Sequence, residues 1–297
     1  MAAERKVSFS YQMMTVIIEH EKHIKIILSS KYGLSPTEFS ILRSIELSGG
    51  VSKGLSVGGF LHLKHNSISV AVSNLKNQGL IVKTINAQDR RATDMSITEK
   101  GVSTTKQATE DIYEDMKASF WKTMTDEDIR EAVLIGSYVN KKLNSSNSLH
   151  TASFEKQVLP ISPEFIVNMK VLPKMWDKII KEAGGISTPE YRMLNLLANS
   201  DEPLRSYDIA ARLLMDRAAI SRGKAKLESG GYVVAHQDSA EKRDASFSVS
   251  EKGRSLEAKI TKKLGEATSE LYSDLDANAV EQMDRWHREM YETLIDK

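Results

Sequence analysis

Two polar stretches of this 297-residue chain carry an acid, a basic residue and an arginine in the same order, Asp89-Arg90-Arg91 and Glu241-Lys242-Arg243. An arginine at the tip of a protruding element is drawn to concentrated negative potential, such as that of a narrow minor groove in duplex DNA. A carboxylate two residues earlier can hold that arginine extended, so Asp89 and Glu241 are read as orienting acids for Arg91 and Arg243. A surface ion pair would have the same composition and little energetic value, but two triplets at matched positions argue for a shared task. Each triplet lies between two short β-type runs, and each hairpin leads into a helix start, Thr98-Glu-Lys-Gly101 or Ser250-Glu-Lys-Gly253. A hairpin with a cationic tip, followed at once by a capped helix, is the plan of a DNA-binding wing.

The match extends beyond the wings. Glu190 lies 152 residues after Glu38 (190 minus 38), and the same offset relates Leu194 to Leu42, Leu213 to Leu61, Ile220 to Ile68, Leu227 to Leu75 and Gly231 to Gly79. No gap is needed from Leu34 to Gly101. The identities fall on caps, stops and apolar positions, which two copies of one domain explain. The sequence therefore divides into 1–144, a polar linker at 145–160 and 161–297, with Asn144-Ser-Ser-Asn-Ser148 opening the linker.

Each copy is expected to place four helices before its wing, the last three forming the helical part of a winged helix-turn-helix. In the first copy these are Phe9–Ser30, a helix opened by the capping box Ser35-Pro-Thr-Glu38, a short glycine-weakened helix at Ser56–Leu63, and then Ser67–Gln78, stopped by Gly79. In the second copy, Phe165–Ala183 contains Pro173, so a kink or break is expected there. Ser187-Thr-Pro-Glu190 then opens a helix, and Ser206–Leu214 and Ala218–Ser229 follow. Two long helices close each copy. The last helix before the wing is the one that enters a major groove in a winged helix-turn-helix. In the first copy it offers Asn66, Ser67, Ser69, Val70, Ser73, Asn74 and Asn77; in the second, Arg217, Ser221, Arg222 and Lys226. Amides and hydroxyls can bond base edges or phosphates, and arginines add charge neutralisation and guanine contacts. Together with Arg90, Arg91, Lys242 and Arg243, these are the candidate DNA-binding residues. A solvated helix face is the alternative for any one of them taken alone.

A net charge of +1 argues neither for nor against nucleic acid. Its distribution is uneven: Arg212, Arg217, Arg222, Lys224 and Lys226 face a single acid, Asp216, whereas the stretch from Glu266 to Asp296 is strongly acidic. The absence of cysteine excludes disulfides and thiolate metal sites and fits a cytoplasmic protein. Charges at Glu19, Glu21, Lys22 and Lys25 interrupt the most apolar early run, so neither a membrane span nor a signal peptide is expected. No phosphate-cradling glycine loop, nucleophile elbow or zinc helix appears, so no enzyme and no cofactor are expected.

Asp89-Arg90-Arg91 with Ile97-Thr98-Glu-Lys-Gly101 resembles the MarR-type transcriptional regulators, whose signature is an Asp-x-Arg wing running into Leu-Thr-x-x-Gly. Leu75-Lys-Asn-Gln-Gly79-Leu80 and Ile220-Ser-Arg222 through Tyr232 are similar to the ends of their recognition helices. The resemblance covers nearly the whole chain in two consecutive copies. It implies a sequence-specific regulator of duplex DNA, usually a repressor. It also implies minor-groove roles for Arg91 and Arg243, recognition-helix contacts from Ser221 and Arg222, and dimerisation-type terminal helices. The expected fold is mainly α with small β-hairpin wings: tandem winged helix-turn-helix domains with an internal pseudo-two-fold. The chain would form a pseudo-dimer within itself, recognition helices about one DNA turn apart, roughly 34 Å, with a homodimer of tandem chains as the other arrangement. Glu241 in place of Asp, Val70 opposite Arg222, and Gly223 and Lys224 at usually apolar positions depart from the pattern, so unequal half-sites are expected.

The resemblance would also allow a small-molecule effector. Tyr11, Met13, Met14, Trp121, Met124, Met175, Trp176 and Trp286 could line its space, but core packing is the favoured reading and none is assigned a ligand role. The pairs His20 with His23 and His62 with His65 have metal-compatible spacing, but surface histidines are favoured and no metal is expected. The alternative to a regulator is a tandem winged-helix scaffold that binds protein partners.

Overall fold

The computed structural model describes residues 9–53, 65–85, 93–143, 161–236 and 245–296. The first half contains α1 (Tyr11–Tyr32), α2 (Pro36–Leu47), β1 (Val51–Lys53), α3 (His65–Asn77), β2 (Ile81–Ile85), β3 (Thr93–Ile97), α4 (Glu99–Ser119) and α5 (Asp126–Leu143). The second contains α6 (Pro163–Gly184), α7 (Thr188–Ala198), β4 (Leu204–Arg205), α8 (Ser206–Leu213), α9 (Arg217–Ser229), β5 (Val233–His236), β6 (Ser246–Val249), α10 (Glu251–Leu271) and α11 (Ala277–Ile295). Both triplets, the short helix expected at 56–63 and the linker lie outside the described residues, as does His62.

The 152-residue offset holds in three dimensions beyond the sequence match. It carries α1 onto α6, α3 onto α9 and α4 onto α10 with identical ends. It also relates the buried faces of the long helices, taking Thr105, Ala108, Ile112, Met116 and Ser119 onto Glu257, Ile260, Leu264, Thr268 and Leu271. The side chains differ between the halves, but the same helical face is buried in both.

Each sheet has three antiparallel strands, ordered β1-β3-β2 and β4-β6-β5. The sequence reading expected two-stranded wings. The third strand is too short to show alternation, two or three residues in each half, so no periodicity could reveal it. The registers match: Ile81 faces Ile97 and Val233 faces Val249. Pro173 lies inside α6, which runs through it unbroken. Met169, Leu172, Trp176 and Ile180 are buried along one face of that helix, and this packing carries the chain past the missing N–H.

The chain forms two compact units, 19–171 and a discontinuous one made of 1–18 with 172–297. The limits of these units fall within α1 and α6. In the discontinuous unit, the ring of Phe9 meets Trp176 edge-on at 5.3 Å and Tyr11 meets Tyr291 edge-on at 5.6 Å. The Tyr11 N–H donates to Asn195 Oδ1 at 2.9 Å, and buried Arg192 donates to Thr15 Oγ1 at 2.8 Å and to the Leu213 carbonyl. In the other unit, His20 is buried rather than on the surface, its ring 3.9 Å from Phe120 and within reach of Trp121 and Phe165. The expectation of a surface histidine fails there because α1 turns that face inward. His23 instead pairs with Asp115 at 2.8 Å. Among the described residues, no helix is long and apolar enough to cross a membrane.

Candidate nucleic-acid interface

In the second half, α7, α8 and α9 precede the sheet. The turn between α8 and α9 puts Leu214 in the left-handed region (φ 51°), the one such non-glycine among the described residues. This backbone conformation costs about 1–2 kcal/mol for an L-residue and is held by the Met215 N–H donating to the Ala210 carbonyl at 3.1 Å. Asp216 then caps α9, accepting from the Ala219 N–H at 2.7 Å. The helix buries Ile220, Gly223 and Leu227. Gly223 lies so close to α7 that a Cβ would come within 2.8 Å of Met193 Sδ, which accounts for a glycine at a usually apolar position. Lys224, the other unusual residue, lays its ammonium 4.3 Å from the centre of the Phe247 ring, so it serves the helix–sheet contact.

The exposed residues of α9 include Arg217, Ser221, Arg222 and Lys226, all four of those expected from the sequence. In the first half, α3 leaves Asn66, Ser67, Ser69, Ser73 and Asn74 exposed, again as expected. Two of these nine carry a structural contact that sequence reasoning missed. Asn74 donates to Glu38 Oε1 at 2.8 Å, and its counterpart Lys226 pairs with Glu190 Oε1 at 3.2 Å. Glu38 and Glu190 are the capping-box glutamates of α2 and α7, and each spends its other oxygen on the N-cap N–H, of Ser35 at 2.7 Å and of Ser187 at 2.8 Å. One buried carboxylate thus fixes the start of one helix and the angle of the next. The signal was present in the equal spacing of Glu38 to Asn74 and Glu190 to Lys226.

The motif at the foot of each wing has a mechanical explanation. Ser250 Oγ accepts from the Gly253 N–H at 3.0 Å and donates to the Gly231 carbonyl at 2.7 Å. The Lys252 ammonium donates to the Gly230 carbonyl at 2.7 Å. Gly253 sits directly against the Tyr232 carbonyl oxygen, leaving no room for a Cβ. Thr98, Lys100 and Gly101 make the same contacts with Gly79, Gln78 and Leu80. The end of the presented helix, the root of the wing and the start of the long helix are therefore clamped at one point. Gly79 and Gly231, with φ of 71° and 70°, supply the left-handed turn that brings the chain into this clamp. The tips themselves, with Asp89, Arg90, Arg91, Glu241, Lys242 and Arg243, lie outside the described residues.

Of the aromatic and methionine side chains considered for a ligand space, Met13, Met14, Trp121, Met124, Trp176 and Trp286 are buried in the cores. Tyr11 and Met13 also border a cleft of about 270 Å³ in the discontinuous unit, with Asn195, Asn199, Asp284, His287 and Arg288. Burial pulls His287 down to about 4, and burial also raises Asp284 against the opposing pull of Arg288.

This arrangement is a winged helix-turn-helix: a helix with an exposed polar and basic face, seated by a second helix and flanked by a hairpin. Residues 184–244 match the model of the MarR family. The chain is 35% identical over 72 residues to the HTH-type transcriptional regulator MhqR of Bacillus subtilis (strain 168), a match covering 24% of this chain and 49% of MhqR. The match thus spans about half the length of that relative. Similar solved structures include MarR (17% identity, covering 43% of this chain and 96% of that one, TM-score 0.39). Another is Sco3205, a MarR family transcriptional regulator from Streptomyces coelicolor, in complex with DNA (20% identity, 42% and 79% covered, TM-score 0.38).

Proposed function

We propose that the chain is a sequence-specific regulator of transcription that binds duplex DNA through two MarR-like winged-helix domains in tandem. The recognition helices α3 and α9 enter major grooves, and the wings carry Arg91 and Arg243 to minor grooves, oriented by Asp89 and Glu241. Repression by covering a promoter is the mode this design favours, because it requires occupancy alone. The cleft beside His287 and Arg288 has room for a small ligand that would relieve binding.

The observation that carries the reading is the pairing of an exposed basic face, Arg217 and Arg222, with a rigid mount. A helix tied at its end to a wing root and along its length to Glu190 presents those arginines without a backbone ordering cost on binding. Anisotropy with duplex DNA selected from a random pool tests it. Sequence-selective binding that weakens at least about ten-fold in an Arg217→Ala/Arg222→Ala variant supports the regulator, since each specific contact is worth about 1–3 kcal/mol. Binding absent from every selected duplex would move the assignment to a protein-binding scaffold.

A further inference from the structure

The two recognition helices share their ends and two buried positions, Ala71 and Leu75 matching Gly223 and Leu227, yet their outward faces have different chemistry. Along the stripe opposite the buried face, α3 carries Asn66, Val70 and Ser73 where α9 carries Ala218, Arg222 and Ala225. Val70 is 62% exposed, the most exposed large apolar side chain among the described residues, and no other of that kind lies on either recognition helix. An isopropyl group set among amides and hydroxyls gains nothing from water. It gains only from an apolar group on whatever faces it. In a major groove the apolar group is the 5-methyl of thymine. Valine has no donor for guanine O6 and N7, whereas the guanidinium of Arg222 at the same helical position has two.

Resting on the DNA-binding reading above, we propose that the halves read different half-sites. Val70 packs against a thymine methyl in one, and Arg222 donates to a guanine at the corresponding position of the other. Ser69 and Ser221 are exposed, identical at equivalent positions, and supply what the half-sites have in common. Phosphate neutralisation is likewise unequal in its placement: α9 offers Arg217 and Arg222 near its start and middle, with Glu228 near its end, whereas the exposed lysine of α3 is Lys76 in its last turn.

The test uses the full chain. Duplexes are selected from a random pool and the recovered site is measured by anisotropy. Unequal halves are expected, with thymine in one where the other has guanine. Replacing that thymine by deoxyuridine removes only the methyl and should weaken the wild type about four-fold, the value of one buried methyl-sized group. The Val70→Ala variant should not distinguish the two duplexes. Replacing the guanine should cost the wild type roughly 5- to 150-fold and leave Arg222→Ala indifferent. A Val70→Arg variant should select guanine in both halves. Because Val70 is exposed, these variants should melt like the wild type. Selection of two identical halves, or a wild type indifferent to the thymine methyl, overturns the inference and leaves DNA binding standing. Failure to select any sequence overturns both.

Discussion

Replacing Gly253 by alanine probes the clamp at the wing root. The new Cβ would collide with the Tyr232 carbonyl oxygen, with the carbonyl carbon at 2.8 Å and Val249 Cγ2 at 3.1 Å behind it. That carbonyl has nowhere to go: it accepts from the Ser250 N–H at 3.0 Å, and the Tyr232 N–H is bound to the Leu227 carbonyl at 2.8 Å. Overpacking against fixed backbone costs about 1–3 kcal/mol. A collision with backbone sits at the upper end of that range, and alanine regains up to about 1 kcal/mol of helix propensity over glycine, so a net loss of about 2 kcal/mol is expected. Gly136→Ala is the matched control, since its Cβ would meet only Asn168 Nδ2, at 3.7 Å, and should be neutral or stabilising. Urea unfolding of the full chain, followed by circular dichroism, gives both midpoints. DNA affinity should fall with Gly253→Ala and not with Gly136→Ala, because the first displaces the wing root from α9. If Gly253→Ala unfolds at the wild-type midpoint, the packing argument is wrong.

Glu190→Ala removes both the acceptor of the Ser187 N–H and the partner of Lys226; a stability loss of about 1–2 kcal/mol is expected in thermal melts, and Glu38→Ala should behave alike. His287 gives a pH dependence with a definite sign. Its folded value, near 4, lies below its ordinary 6.5, so the unfolded chain takes the proton first. The contribution is complete above about pH 6.5 and is lost as the pH falls towards 4, on the order of 3 kcal/mol in all. Urea midpoints at neutral pH and near pH 4.5 should show this loss in the wild type and a smaller one in His287→Gln; equal losses would dismiss the buried imidazole as the cause.

The helices were legible because their ends are written locally: Ser35 with Glu38 and Ser187 with Glu190 close both boxes. The 152-residue match was legible at Gly79 and Gly231 because both take left-handed angles that favour glycine. Partners far apart in sequence were not legible. The third strand of each sheet, the burial of His20 and the attachment of residues 9–18 to the second half depend on tertiary contacts that no local period encodes. The exposed residues of α3 and α9 were placed correctly, because helical spacing fixes which face is polar. The double duty of Glu38 and Glu190 was hidden, since a capping box already explained them.

The most direct measurement is the affinity of the full chain for a selected duplex across a salt series, with the Arg217→Ala/Arg222→Ala variant alongside. The account predicts tight, selective binding, a steep loss of affinity with salt, and a shallower slope in the variant, by about 0.9 for each phosphate contact removed. Binding that is unselective, or unchanged by removing both arginines, would contradict it.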